Sequence, residues 1–222
     1  MAEGARERGF KYLGIADHSR SAHYAGGLSI ERVREQWAAI DALNRKYGGK
    51  FHLFKGTECD ILPDGSLDYP DDLLAGFDYV VASVHTNFGM PRADMTKRIV
   101  RAVSHPLVTM LGHPTGRLLL SRNGYEVDLD AVIAAAARAG TMIEINANPH
   151  RLDLDAIHAR RARQAGVTIA INPDAHSVSG LDDLEYGVSV ARRAWLRKED
   201  LLNTGSLDSI RKTLKEHRER SR

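Results

Sequence analysis

His18, Glu58, His85, His113, Asp174 and His176 each stand at or just beyond the end of a short apolar run. The motifs read Ala16-Asp17-His18-Ser19, Gly56-Thr57-Glu58, Ser83-Val84-His85, Gly112-His113-Pro114 and Asn172-Pro173-Asp174-Ala175-His176. Imidazole nitrogen mixed with carboxylate oxygen is the donor set of borderline divalent ions such as Zn²⁺, Mn²⁺ or Fe²⁺, whereas Ca²⁺ and Mg²⁺ favour oxygen alone. One histidine at a strand end is ordinarily a hydrogen-bonded structural group. Donors recurring after successive strands ask for another explanation, and this many at one mouth would hold more than one ion. Glu58, buried beside cations, would ionise and could bridge two of them. Asp174 and His176 are alternate residues that can both lean toward the mouth. Asp17 reads better as an orienter of His18, or a helix cap, than as a ligand.

Two arginines complete the candidate site. Arg117 in His113-Pro-Thr-Gly-Arg117 and Arg151 in Asn148-Pro-His-Arg151 follow rim motifs by a few residues, where guanidinium forks could bind a substrate phosphate. Surface pairing with Asp153 or Glu126 is the competing role. His52, His105, His158 and His217 fall inside a strand, in a connection or on helical faces and read as structural or solvated. His23 and His150 lie near the mouth without the context of a ligand. Cys59 should point to the opposite strand face from Glu58 and fill the core. No Gly-x-Ser-x-Gly elbow or phosphate-cradling glycine loop is present, so the chemistry rests on metals; Glu58, His85 and Asp174 are the catalytic candidates.

The elements that must position these groups follow from periodicity. Aliphatic and β-branched runs at 12–16, 51–55, 79–84, 108–111, 141–145 and 167–171 read as buried strands. Ile30, Val33, Trp37, Ile40 and Leu43 recur at helical spacing after a Ser29 cap, and Gly48-Gly49 ends that helix. The segments 130–138 and 154–164, closed by Gly140 and Gly166, repeat the same helix–glycine–strand order. This βα alternation predicts an α/β fold with a parallel sheet, open or closed into a barrel, whose C-terminal strand ends share one mouth. Residues 206–222 read as an amphipathic helix with a basic tail, and 1–222 as a single domain.

Composition sets outer bounds. The 222 residues, 43% of them hydrophobic, can bury a full core. With 31 basic and 29 acidic residues the formal charge is +2, so any anionic ligand must be recognised locally. A lone cysteine excludes an internal disulfide framework and fits a reducing, cytoplasmic setting. No apolar run approaches the roughly 18 residues of a membrane-spanning helix.

The rim motifs, taken in order, resemble those of the PHP (polymerase and histidinol phosphatase) family across nearly the whole chain. Gly26-Gly-Leu-Ser29, Gly112-His-Pro-Thr-Gly-Arg117, Glu144-Ile-Asn-Ala-Asn-Pro149 and Gly187-Val-Ser-Val-Ala-Arg-Arg-Ala-Trp195 are similar to the C-terminal PHP domain of bacterial family X DNA polymerases. The resemblance implies a distorted TIM-like (β/α)7 barrel with a trinuclear metal site. It further implies a manganese- or zinc-dependent phosphoesterase that trims DNA 3′ ends in repair, with a polymerase domain fused upstream. Glu58, His85 and His113 would form one metal site, Glu58 and Asp174 part of a second, and His18 and His176 part of a third. The chain departs from the family at its front: no two of its ten histidines are one residue apart, so the first strand with its His-x-His motif is absent. About six barrel strands and fewer than three tightly held ions are therefore expected. A truncated module with a structural or interaction role, and a histidinol-phosphatase-like monoesterase, remain as alternatives.

Overall fold

In the computed structural model, residues 1–219 are described, and the last three residues of the expected basic tail lie outside them. Six strands, β1 (Tyr12–His18), β2 (His52–Asp60), β3 (Tyr79–Ser83), β4 (Met110–Leu111), β5 (Met142–Asn146) and β6 (Ile169–Asn172), form one parallel sheet in sequence order. Between and around them run α1 (Ala2–Glu7), α2 (Ile30–Tyr47), α3 (Asp71–Leu74), α4 (Arg92–Val103), α5 (Leu129–Ala139), α6 (Ala156–Gln164), α7 (Leu184–Arg193) and α8 (Leu207–Glu219). None of these helices is long and apolar enough to cross a membrane among the described residues.

The predicted helix boundaries follow local chemistry. Ser29 accepts from the Arg32 amide at the start of α2, Asp128 from the Ala131 amide at the start of α5, and Asp155 from the Ile157 and His158 amides at the start of α6. Gly48 and Gly140 close α2 and α5 in the left-handed conformation that a Cβ disfavours.

The sheet curls into a half-barrel without closing, and the alternation of side chains sorts its two faces. Outward-facing Ala82, Leu111, Ile143, Ile145, Ile169 and Ile171 are buried beneath α4, α5, α6 and α7, in one cluster with Ile99, Val103, Ile133, Ala136, Ala162 and Ala191. The inward column is apolar at the bottom, where Val81, Met110, Met142 and Ala170 cluster together, Phe54 packs with Ile210 and Leu214 of α8, and Tyr79 touches both groups. Tyr79 lies across Gly14 and Gly56; a Cβ on either would come within 2.4 and 2.2 Å of its phenol ring or hydroxyl. Both glycines are required by that close approach. Between β6 and β1, Leu201 bridges Ile169, the Asn203 side chain pairs with both the amide and the carbonyl of Ile171, and Tyr12 Oη donates to the Asn203 and Gly205 carbonyls. The base of the gap is thus filled by chain that leads into α8. Above this apolar floor the inward positions turn polar, and there the site lies.

Candidate metal centre

Strand register brings the rim residues together. His18 pairs with Glu58, and Glu58 with Val81, so the β1 and β2 donors sit level. Glu58 is the hub. Its Oε1 lies 2.8 Å from His113 Nε2 and 3.3 Å from His85 Nε2, and its Oε2 lies 3.3 Å from His18 Nδ1. The His18 and His85 rings are 4.9 Å apart edge to face, and those of His85 and His113 5.1 Å. His18, Glu58 and His85 each offer a donor atom within 4.8 Å of the others. This groups His18 with Glu58 and His85; His176, whose ring centroid is 6.4 Å from that of His18, is largely exposed and turns Nδ1 to the Asp174 carbonyl at 2.9 Å.

The fit to a cation can be tested on lone pairs. His18 Nδ1, His85 Nε2 and His113 Nδ1 are buried and make no hydrogen bond, although the first two lie 3.3 Å from a carboxylate oxygen. Buried polar atoms are normally paired, and orphans of this kind mark an ion or water position. The donor set therefore fits a divalent metal, with Glu58, His85 and His18 as its nearest holders. Burial would raise the Glu58 carboxyl, but His113 and His85 outweigh it and hold the group well below its ordinary range. Burial lowers the His18 imidazole against the pull of Glu58. For His85 burial acts downward too, yet Asp60 and Glu58 prevail and raise it to about 9.

Asp60 was not singled out by sequence, and it fixes His85. Its Oδ1 is 2.6 Å from His85 Nδ1, its Oδ2 accepts from Ser21 Oγ at 2.6 Å, and its amide donates to Ser19 Oγ. With Nδ1 held by Asp60, the ring aims Nε2 at Glu58, where it would present a lone pair to an ion that displaces its proton. The available signal was strand alternation, since Asp60 shares the inward face with Glu58. Asp17 lies on the other face, exposed, and accepts from Gln36 of α2. Cys59 is buried in the core as expected.

On the other side, Asp174 Oδ2 accepts from Asn146 Nδ2 at 3.0 Å and lies 3.3 Å from Arg151 Nε. Asn146 also reaches Glu144, a fully buried carboxyl that takes bonds from the His113 amide and Asn172 Nδ2. Burial pushes Glu144 up to about 7. His113 and Asp174 both hold positive φ, 24° and 51°, a conformation that costs a non-glycine residue on the order of 1–3 kcal/mol. Asp153 clamps the turn after His113, accepting from the Thr115 and Gly116 amides and Thr115 Oγ1. Arg151 stands in the site beside Asp174, whereas Arg117 lies behind it. Arg117 donates Nε to the Arg151 carbonyl at 2.9 Å and Nη2 to the Leu152 carbonyl, which braces the Arg151 turn. Neither Asp153 nor Glu126 accepts a hydrogen bond from it, although its charge acts on Asp153.

The remaining histidines divide as their sequence context suggested. The His158 ring pairs with Asp155, the cap of its own helix, His217 is buried against the Val108 carbonyl, His52 meets Arg211, and His105 lies 3.3 Å from Asp71. His23 and His150 are exposed.

No family model matches the chain. DNA polymerase/3′-5′ exonuclease PolX of Bacillus subtilis is 45% identical over 97% of this chain, which spans 38% of that polymerase's length. A protein of Thermoanaerobacter sp. named as a probable phosphatase is 29% identical over 97% of the chain and 88% of its own length. Among solved structures, histidinol phosphate phosphatase of Lactococcus lactis, determined with zinc, L-histidinol and phosphate, shares the fold at a TM-score of 0.60 and 13% identity. That match covers 88% of this chain and 86% of the phosphatase. With its curled parallel sheet, its histidine–carboxylate rim and relatives of both kinds, the chain is similar to proteins of the PHP family.

Proposed function

We propose that residues 1–222 act as one metal-dependent phosphoesterase domain that hydrolyses phosphodiesters, with a DNA 3′ end as substrate. The reading is carried by one observation: two buried imidazole nitrogens with no hydrogen-bond partner, His18 Nδ1 and His85 Nε2, each lie 3.3 Å from the Glu58 carboxylate, which His113 Nε2 also meets at 2.8 Å. Similarity to an exonuclease-bearing polymerase supports DNA as the substrate and a polymerase as the working partner.

When bound, divalent ions supply Lewis-acid polarisation of a phosphoryl oxygen and a lowered pKa for water. Glu58, His85 and His18 would hold one such ion, with His113, Asp174 and His176 extending the set; Zn²⁺, Mn²⁺ and Fe²⁺ all suit these donors. Glu58 enters as a carboxylate, since its neighbours hold it ionised throughout the neutral range. Asp60 keeps the His85 proton on Nδ1. Asp174 spends Oδ2 on Asn146 and Arg151, which leaves Oδ1 without a hydrogen bond among the described residues. Arg151, partly exposed and braced by Arg117, can turn its guanidinium fork to a phosphoryl oxygen and offset charge that develops during cleavage.

The test is Mn²⁺-dependent shortening of a 5′-labelled single-stranded oligonucleotide, alongside hydrolysis of bis-p-nitrophenyl phosphate and of p-nitrophenyl phosphate. Loss of both diester activities in Glu58→Gln and His85→Ala supports the proposal. Cleavage of the monoester alone would favour the phosphatase reading, which the Thermoanaerobacter relative supports. No hydrolysis under any metal would favour a structural module.

A further inference from the structure

The similarity motif that ends in Ala191-Arg192-Arg193-Ala194-Trp195 has no part in the rim chemistry. The structure puts it on the outer face, where it meets α6. Trp195 is 65% exposed and holds φ +60°, immediately after the C-terminus of α7. Glycine is the usual occupant of that left-handed position. A tryptophan there bears backbone strain and leaves a large aromatic ring in water, and packing within the chain does not account for either. Among the described residues, the Arg160 guanidinium of α6 lies over its face, 3.9 Å from the ring centroid.

Beside this stack lies a cavity of ≈ 380 Å³ lined by Ile157, Arg160, Arg161, Gln164 and Arg193, with no carboxylate in its wall. Arg161 is neutralised by Asp130, at 3.1 Å to both oxygens. Arg160 and Arg193 have no acidic partner among the described residues. The last turn of α7 gives a reason for the charge on Arg193, which faces the negative end of the helix dipole. That reason does not extend to Arg160 in mid-helix or to Trp195. Arg161 also lines a neighbouring depression with Thr115 and Arg117, where Asp128 and Asp130 neutralise Arg92 and Arg161, so the unpaired charge is confined to Arg160 and Arg193. On a chain whose overall charge is nearly balanced, this is a local concentration of unpaired guanidinium next to an exposed indole.

We propose that Arg160, Arg193 and Trp195 form a docking track for a single-stranded nucleic acid, outside the metal centre. Guanidinium forks take backbone phosphates, and the indole, backed by Arg160, offers a face on which any base can stack. The inference rests on the reading of a nucleic-acid substrate and would explain how a trimmed strand is held behind its reacting end.

The experiment uses the full chain in EDTA, where nothing is cleaved, with a 5′-fluorescein oligonucleotide of about 20 nucleotides. Fluorescence anisotropy at several salt concentrations and tryptophan quenching are read together. The second tryptophan, Trp37, packs edge-on against Phe77 and serves as the internal reference. Trp195→Phe is expected to remove the quench. Arg160→Ala/Arg193→Ala is expected to weaken binding about tenfold and to reduce the log–log salt slope by about 1.4, two phosphate contacts at about 0.7 each. Both variants should hydrolyse bis-p-nitrophenyl phosphate at the wild-type rate with Mn²⁺. Wild-type affinity and salt slope in the double variant would overturn the proposal, as would a quench produced by polyglutamate and not by DNA. If the wild type fails to hydrolyse the small diester, the phosphoesterase reading falls by itself, and the anisotropy arm still decides the track.

Discussion

Replacing Asp60 separates a group that orients a metal ligand from one that merely packs. Asp60 is almost fully buried and receives bonds of 2.6 Å from both His85 Nδ1 and Ser21 Oγ. Asp60→Ala removes both acceptors. Hydrogen bonds to a charged group contribute about 1.5–3 kcal/mol each. Ser21 is only partly buried and can recover water, so the expected loss in metal-free stability is about 3 kcal/mol. Asp60→Asn keeps the shape: its carbonyl can still accept from His85 and its amide can donate to the Ser21 hydroxyl, so the loss should be about 1 kcal/mol. Metal affinity should follow the orientation of His85. With Nδ1 released, the ring can turn and exchange tautomers, and affinity should fall about 10–100-fold in the alanine variant, or about 1.4–2.7 kcal/mol. The asparagine variant should lose less than about tenfold. Chelator competition with Zn²⁺ or Mn²⁺ gives the affinity, and denaturant unfolding in EDTA gives the stability. An alanine variant that is easier to unfold but binds metal like the wild type would refute the orienting role.

Other expectations follow from the same geometry. Gly56→Ala puts a Cβ 2.2 Å from the Tyr79 ring, an overpacking expected to cost about 3 kcal/mol in urea unfolding. His85 has its pKa raised by folding, so its stabilisation is complete below its unfolded value of about 6.5 and is lost as pH rises through about 9. Metal-free stability should therefore fall by up to about 2 kcal/mol between about pH 7 and 9. His18, lowered by folding, is neutral in both states over that window and adds no slope. Saturating Zn²⁺ should abolish the fall, since the metal takes the place of the proton. Arg151→Ala should raise KM for the diester about tenfold or more, with metal affinity unchanged within about twofold. Equal loss of metal would instead make Arg151 a support for Asp174.

Much of the frame was legible because strand ends are marked locally. Val84-His85, Gly112-His113 and Asp174-Ala-His176 follow apolar runs, and glycine and cap residues fix where each run must stop. Strand register then brings those donors to one rim. What sequence did not reveal depends on contacts distant along the chain. The acceptor that fixes His85 sits two residues beyond Glu58 on the neighbouring strand. The partners of Arg117 are backbone carbonyls, which leave no trace in side-chain identity. The apolar floor beneath the site depends on Tyr79 crossing two glycines from different strands. Arg117 and Arg151 looked equivalent by spacing; the structure separates them, one beside Asp174 and the other behind the turn.

The central claim is that the imidazoles around Glu58 are arranged for a divalent ion. Anomalous diffraction at the manganese edge, from crystals of the full chain soaked in Mn²⁺, tests it most directly. The account predicts a peak within bonding distance of Glu58, His85 Nε2 and His18 Nδ1, lost in His85→Ala. A well-ordered rim with no peak, or peaks only elsewhere, would contradict it.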